Sequence, residues 1–223
     1  LSSSEPWGGP RNQSTNVTGT ITGLSSLAVA DRPGSVYCRF GGRETADDKE
    51  VVGAVLKTDA TQIVCTAPDV EPPCRPDPSR CAAQVELEMS GYNSSTTSTD
   101  WTSNRMKFQY YDQPDAGAVM PNHTNSLGGG HVNVSVVASS AEDVAKHVRT
   151  GGDKGTLKCR FTPVGSSGTV ETADGASEAN GQAVLCQQPA LTSPGEYTVE
   201  VSLNNQQYTT GGPRLRAFRI APL

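Results

Sequence analysis

Little in this chain is basic, histidine-containing or continuously apolar. Lys and Arg total 18 against 23 Asp and Glu, a net charge of −5, and the cations are scattered singly. No basic stripe is available to hold a phosphate backbone, so nucleic acid is not expected as a partner. The longest apolar stretches are a few residues, and Val132 to Val137 is already broken by Asn133 and Ser135. Nothing approaches the ~20 residues of a bilayer-crossing helix, and no signal peptide is legible. No membrane contact is expected within these residues, and an export signal or anchor would lie outside them. Histidine occurs three times, as His123, His131 and His147, with no Cys-x-x-Cys or His-x-x-x-His spacing. No metal site or other cofactor is therefore expected.

What is present points to an oxidising environment. Six cysteines accompany five Asn-x-Ser/Thr sequons, at Asn12, Asn16, Asn93, Asn122 and Asn133, none with proline in the middle. That combination predicts a disulfide-bonded, N-glycosylated extracellular or cell-surface protein carrying covalent glycans.

A segment is also written twice. Gly9, Asn12, Gly34, Cys38-Arg39-Phe40, Cys65 and Pro68 recur 121 positions later as Gly130, Asn133, Gly155, Cys159-Arg160-Phe161, Cys186 and Pro189. A constant offset over sixty residues predicts two copies of one module, one domain per copy, over 1–110 and 111–223.

Local patterning is that of strands. Val85-Glu86-Leu87-Glu88-Met89, Lys107-Phe108-Gln109-Tyr110, Val132-Asn133-Val134-Ser135-Val136 and Tyr197-Thr198-Val199-Glu200-Val201-Ser202-Leu203 alternate apolar with polar, the period of a half-buried antiparallel strand. Turn clusters at Asp31-Arg32-Pro33-Gly34, Ser193-Pro194-Gly195, Asn204-Asn205 and Gly211-Gly212-Pro213 separate such runs. The expectation is all-β sandwiches of about 110 residues each. Ser139 to Val148 departs from this, with Ser140 as N-cap and Gly151-Gly152 as stop; it is too short to be stable alone and reads as a surface loop with some helical character.

Gly34-Ser35-Val36-Tyr37-Cys38-Arg39-Phe40-Gly41 followed by Ile63-Val64-Cys65-Thr66-Ala67-Pro68, and Gly155-Thr156-Leu157-Lys158-Cys159-Arg160-Phe161 followed by Ala183-Val184-Leu185-Cys186-Gln187-Gln188-Pro189, resemble the IPT/TIG domain. This is the immunoglobulin-like, E-set type fold of plexins, scatter-factor-type receptor kinases and many large cell-surface proteins. Pro194 to Ser202 resembles the family's Gly-x-Tyr-x-Val-x-Val-Ser strand. Phe108 to Tyr111, Val119-Met120-Pro121 and Gly128 to Gly130 resemble its handover from one domain to the next. The resemblance covers nearly the whole chain and implies two antiparallel sandwiches in tandem. It also implies that the first domain lacks its first strand, that Phe218 occupies the place of Phe108, and that the chain is an ectodomain fragment of a longer array.

On that basis Cys38 pairs with Cys65 and Cys159 with Cys186, at equal spacings of 27 and equivalent points in each copy. Cys74 and Cys81 have no counterpart in the second copy and pair across the insertion Pro72 to Cys81. Four prolines and a staple stiffen that loop, which either completes a long connection or presents a recognition surface. Gly165-Ser166-Ser167-Gly168 and Gly128-Gly129-Gly130-His131 read as turns, not as a nucleophile elbow or phosphate loop. Asp47, Asp48 and Glu50 read as a solvated loop with only a weak calcium pattern. Asn93 to Thr99 reads as a hydroxyl-rich glycosylated or open loop, and Trp7 and Trp101 as packing residues.

No enzyme is expected. The leading expectation is an adhesion or recognition module that binds a protein partner. An architectural repeat packing against neighbouring copies of the same chain is the alternative. The transcription factors that share the domain are set aside by acidity, cysteines and sequons.

Overall fold

The computed structural model describes residues 3–6, 8–20, 37–41, 49–56, 62–68, 84–90, 102, 106–137, 157–165, 168–178 and 182–219. The chain divides into two compact units, Leu1–Tyr111 and Asp112–Leu223. Among the described residues both are all-β, with no helix.

Unit 1 contains β1 (Ser3–Glu5), β2 (Gly8–Pro10), β3 (Thr15–Thr20), β4 (Tyr37–Gly41), β5 (Lys49–Leu56), β6 (Gln62–Ala67), β7 (Gln84–Ser90) and β8 (Met106–Tyr111). Unit 2 contains β9 (Asp115–Met120), β10 (His123–Asn125), β11 (His131–Val137), β12 (Lys158–Pro163), β13 (Glu171–Ser177), β14 (Ala183–Gln187), β15 (Gly195–Ser202) and β16 (Arg214–Phe218). The hydrogen-bonded order is β1-β3-β6-β5-β4-β7-β8-β2 in the first and, read from its other end, β9-β11-β14-β13-β12-β15-β16-β10 in the second. The two units therefore share one topology, strand for strand.

One strand in each unit belongs to two layers. Glu171 to Asp174 of β13 pair with β12, whereas Gly175 to Ser177 pair with β14; β5 changes partners between Gly53 and Ala54 in the same way. Gly175 stands at the change-over because a Cβ there would lie 2.8 Å from Val184 Cγ1 and 3.3 Å from Cys159 Sγ. The two ends of each ribbon approach one another, since β9 and β10 are joined through Pro121 and Asn122 alone. The second unit's sheet is consequently almost closed, like a barrel.

The cores follow from the alternation. Val132, Val134, Cys159, Phe161, Val184, Cys186, Tyr197, Val199, Val201 and Leu215 are buried together in unit 2, and the residues alternating with them are half-buried or exposed, save Ser202, which is buried after Val201. In unit 1, Val17, Phe40, Ile63, Phe108 and Tyr110 are buried, with Phe108 edge-on to Phe40 at 5.6 Å and to Tyr110 at 5.1 Å. Such edge contacts add to the apolar burial itself.

Three expectations change. The offset of 121 does not hold along the first strands: Val17 opposes Cys65 and Val132 opposes Cys186, so the offset is 132 − 17 = 115 there and 186 − 65 = 121 only from the cysteine strands on. Unit 2 has six more residues than unit 1 between equivalent positions of these two strand pairs, since 121 − 115 = 6, so Gly9 and Asn12 do not correspond to Gly130 and Asn133. A first strand is present in unit 1: β1 pairs antiparallel with β3, Glu5 opposite Thr18, as Met120 of β9 lies opposite Asn133. Finally, the sheets are not wholly antiparallel. β2 runs parallel to β8, and β10 to β16, which is feasible because nearly a whole unit of chain connects each pair. That register places Phe218 opposite Asn125 and Tyr111 opposite Pro10. Phe218 therefore corresponds to Tyr111, not Phe108.

A hydrogen-bonded corner starts β15. The buried Tyr197 hydroxyl donates to the Ser193 carbonyl at 2.8 Å and accepts from the Ser193 amide at 3.3 Å. A tyrosine tied to backbone a few residues upstream is a feature of immunoglobulin-type sandwiches. Tyr197→Phe is expected to cost about 1–2 kcal/mol, because the Ser193 groups lose their partner without a change in packing. Urea unfolding of the full chain measures it, and an unchanged midpoint would show that the corner is not stabilising.

The segment 139–148, the loop 72–81 with Cys74 and Cys81, Asn93 to Thr99, Asp47 and Asp48, Trp7, Trp101 and His147 lie outside the described residues.

Candidate functional site

The disulfides sit where the layers meet. Cys38 on β4 is bonded to Cys65 on β6, and Cys159 on β12 to Cys186 on β14, each spanning 27 residues with Cα separations of 6.2 and 5.9 Å. All four are buried. Because β12 and β14 are hydrogen-bonded to different parts of β13, the bond ties together the two layers that β13 connects.

The sequons occupy dissimilar surroundings. Asn12 is exposed in the turn between β2 and β3. Asn16 is exposed on β3, its Oδ1 accepting from the Thr66 hydroxyl at 3.0 Å. Asn122 is exposed in the link between β9 and β10, and its Oδ1 lies 2.9 Å from His123 Nδ1, so that nitrogen carries the proton if the amide oxygen accepts. Asn133 differs: it is half-buried on β11, its Nδ2 donates to Glu178 Oε1 at 2.6 Å, and its Oδ1 is buried without a hydrogen-bond partner. The hydroxyl of Ser135 in the same sequon is bonded to the Ala118 amide at 2.7 Å. Asn93 lies outside the described residues.

A polar knot holds β10 in place. Gln188 is buried; its Nε2 donates to the Asn125 carbonyl at 2.6 Å and its Oε1 accepts from the Thr124 hydroxyl. Gly129 N donates to the Gln188 carbonyl and Gln188 N to the Gly130 carbonyl, at 3.1 and 2.9 Å. Gly128 and Gly129 have φ of 80° and 84°, a backbone that L side chains adopt at a cost. The Gly-Gly-Gly-His run is thus a turn that delivers the chain from β10 into β11.

The outer face of β12 and β15 is charged and self-neutralised. Arg160 Nε donates to Glu200 Oε2 at 2.8 Å, Thr162 approaches the same oxygen at 3.4 Å, and the guanidinium lies 4.2 Å over the Tyr208 ring. Burial pushes the Tyr208 hydroxyl above its ordinary pKa, while Arg160 and Lys158 oppose that shift and Glu200 adds to it. Lys158 pairs with Asp174. In the unit 1 ladder Arg39 lies opposite Glu88, as Arg160 lies opposite Glu200 in unit 2. The Tyr111 hydroxyl is pushed up strongly by burial alone.

No reactive constellation assembles among the described residues, and no three of their His, Cys, Asp and Glu side chains converge on a metal-sized site. His123 and His131 are both exposed, on β10 and at the start of β11. No helix among the described residues is long and apolar enough to cross a membrane.

The Arg160–Glu200 pair, the Tyr197 corner and the Gln188 knot were not singled out from the sequence. The first was within reach: in Cys-Arg-Phe, cysteine and phenylalanine face inward, so arginine must face outward, opposite the polar residue of a neighbouring strand. The others depend on contacts across many residues, and Gln188 carries no local signal.

The sequence matches no protein-family model and no curated protein. Among solved structures, the chain is similar over 97% of its length to a plexin A4 extracellular region covering domains 1 to 8, at 14% identity and a TM-score of 0.48. A second plexin A4 structure, domains 1 to 10, is similar over 91% at 15% identity and 0.49. The FN1–FN3 domains of chicken CNTN1 are similar over 94% at 12% identity and 0.39, with 62% of that chain covered. The chain spans 18% and 14% of the two plexin structures.

Proposed function

We propose that the chain is a tandem of two immunoglobulin-like (IPT/TIG, E-set type) β-sandwiches serving as a non-enzymatic extracellular recognition or adhesion module of a larger cell-surface glycoprotein. The observation that supports this most is the repeated unit itself: one strand order, used twice, each copy stapled between its layers by a buried disulfide. Such bonds persist in secreted and cell-surface compartments and rarely in the reducing cytosol. Three sequon asparagines, Asn12, Asn16 and Asn122, are exposed on the units so stapled. The outward faces carry paired charges, as in Arg160 with Glu200, which suits a solvated module better than a buried one.

The partner-binding element in this reading is the insertion Pro72 to Cys81, with a Cys74–Cys81 disulfide. The test is to replace that insertion by Ala190 to Gly195, the shorter connection of unit 2, and to measure cell attachment and self-association of the folded chain. Attachment falling at least tenfold supports recognition. Unchanged attachment, together with self-association in sedimentation, favours an architectural repeat whose strand edges make the contacts.

Glycan occupancy is expected to follow the geometry. Asn12, exposed in a turn, should carry sugar, whereas Asn133 should be largely bare in secreted protein, because a glycan added there before folding would displace Glu178 from Nδ2 as β11 docks and hold back the chains that carry it. Intact-glycopeptide mass spectrometry of the secreted chain decides this; full occupancy at Asn133 with an undisturbed melting curve would contradict it.

A further inference from the structure

Strand β10 brings an attachment atom and an exposed aromatic pair to one edge. Asn122 is exposed, and among the described residues its Nδ2, unlike that of Asn133, makes no hydrogen bond. Its carbonyl accepts from the Arg216 amide at 2.9 Å, which fixes it against β16. The next residue, His123, also points outward, and its ring lies 6.3 Å from that of Phe218 at an interplanar angle of 31°. Phe218 is 42% exposed. The residue matching Asn122 at the offset of 115 is Trp7, so unit 1 has no sequon there.

We propose that an N-glycan on Asn122 is a packing element of unit 2: its core N-acetylglucosamine rings run along β10 and lay their apolar C–H face over His123 and Phe218. The chemistry is that of sugar against aromatic. The ring face is the negative end of the aromatic quadrupole and receives polarised C–H groups, and contact removes apolar area from water on both partners. A covalent tether at the edge of the patch removes most of the association cost that a free saccharide would bear. The Thr124 hydroxyl of the sequon is engaged by Gln188 in the folded unit. The sugar is therefore added before β10 docks, and the strand closes with its glycan in place.

This inference rests on the extracellular reading above, and its test separates the two. The full 223-residue chain is secreted from eukaryotic cells as wild type, N122Q, F218S and the double variant, and glycopeptides and melting curves are recorded. Loss of the glycan in N122Q is expected to lower Tm by roughly 3–6 °C, and N122Q is expected to have almost no further effect once Phe218→Ser is present. Unglycosylated wild type and N122Q, oxidatively refolded, should melt together, assigning the loss to sugar. Nuclear Overhauser contacts from sugar protons to the Phe218 ring should appear in the glycosylated wild type. An Asn122 without glycan beside a glycosylated Asn12, additive effects of N122Q and F218S, or the same N122Q loss in unglycosylated protein each overturn the packing role and leave the extracellular reading standing. A chain isolated from its own source with no glycan at any sequon would remove both.

Discussion

Replacing Cys159 and Cys186 together by alanine is expected to destabilise unit 2 by about 3.5 kcal/mol, the loop-closure entropy of a 27-residue ring in the chain-entropy treatment. The pair must be replaced together. A single substitution leaves a thiol buried between layers and adds a packing defect to the entropy change. The Cys38–Cys65 ring has the same sequence separation, so the same double replacement in unit 1 should cost the same within experimental error. Guanidinium unfolding of the full chain, with and without reductant, measures both. A loss under about 1 kcal/mol in either unit would mean that the unfolded chain is already held compact, or that removal relieves native-state strain.

Phe161→Ala is expected to cost about 3–5 kcal/mol, and to lower the melting temperature of unit 2 by more than 10 °C. Phe161 is fully buried on β12, between β13 and β15, in the cluster with Val184, Val199 and Leu215. Its neighbours are strand residues held by two ladders each, so they cannot collapse into the space the ring leaves. Phe161→Leu, which keeps most of the volume, should cost under about 1.5 kcal/mol. Equal losses for Ala and Leu would show that ring shape, not cavity volume, governs the site.

Strand positions were legible because alternation reports directly on which side of a sheet is dry. Tyr197, Val199 and Val201 are buried, as are Val132 and Val134. The repeat was legible only where side chains are constrained by the core: Cys-Arg-Phe and the second cysteine keep their offset because the disulfide requires them to meet. Gly9 and Asn133 lie on strands that do not correspond, and Asn12 and Gly130 lie in connections; none of the four is tied to the disulfide, so chance identity goes uncorrected there and the offset misleads. β2 and β10 were not legible, since Gly8-Gly9-Pro10 and His123-Thr124-Asn125 have no strand pattern; only their pairing with β8 and β16 makes them strands. The unequal fates of Asn12 and Asn133 were equally hidden, because a sequon says nothing of a glutamate 45 residues further on.

The parallel pairing of β10 with β16 has a mechanical side. β9, β10 and β16 all run in the same sense within the ribbon. A pull applied at Asp115 and Phe218 in opposite directions drags β9 along β11 and β10 along β16, lengthwise. Hydrogen bonds loaded in shear must break nearly at once, whereas those in a hairpin opened from its end break one after another. Should the strands part, Cys159–Cys186 still withholds the 27-residue stretch it encloses from extension. A unit built this way yields abruptly and only in part, and it keeps its stapled layers together as a nucleus for recoil.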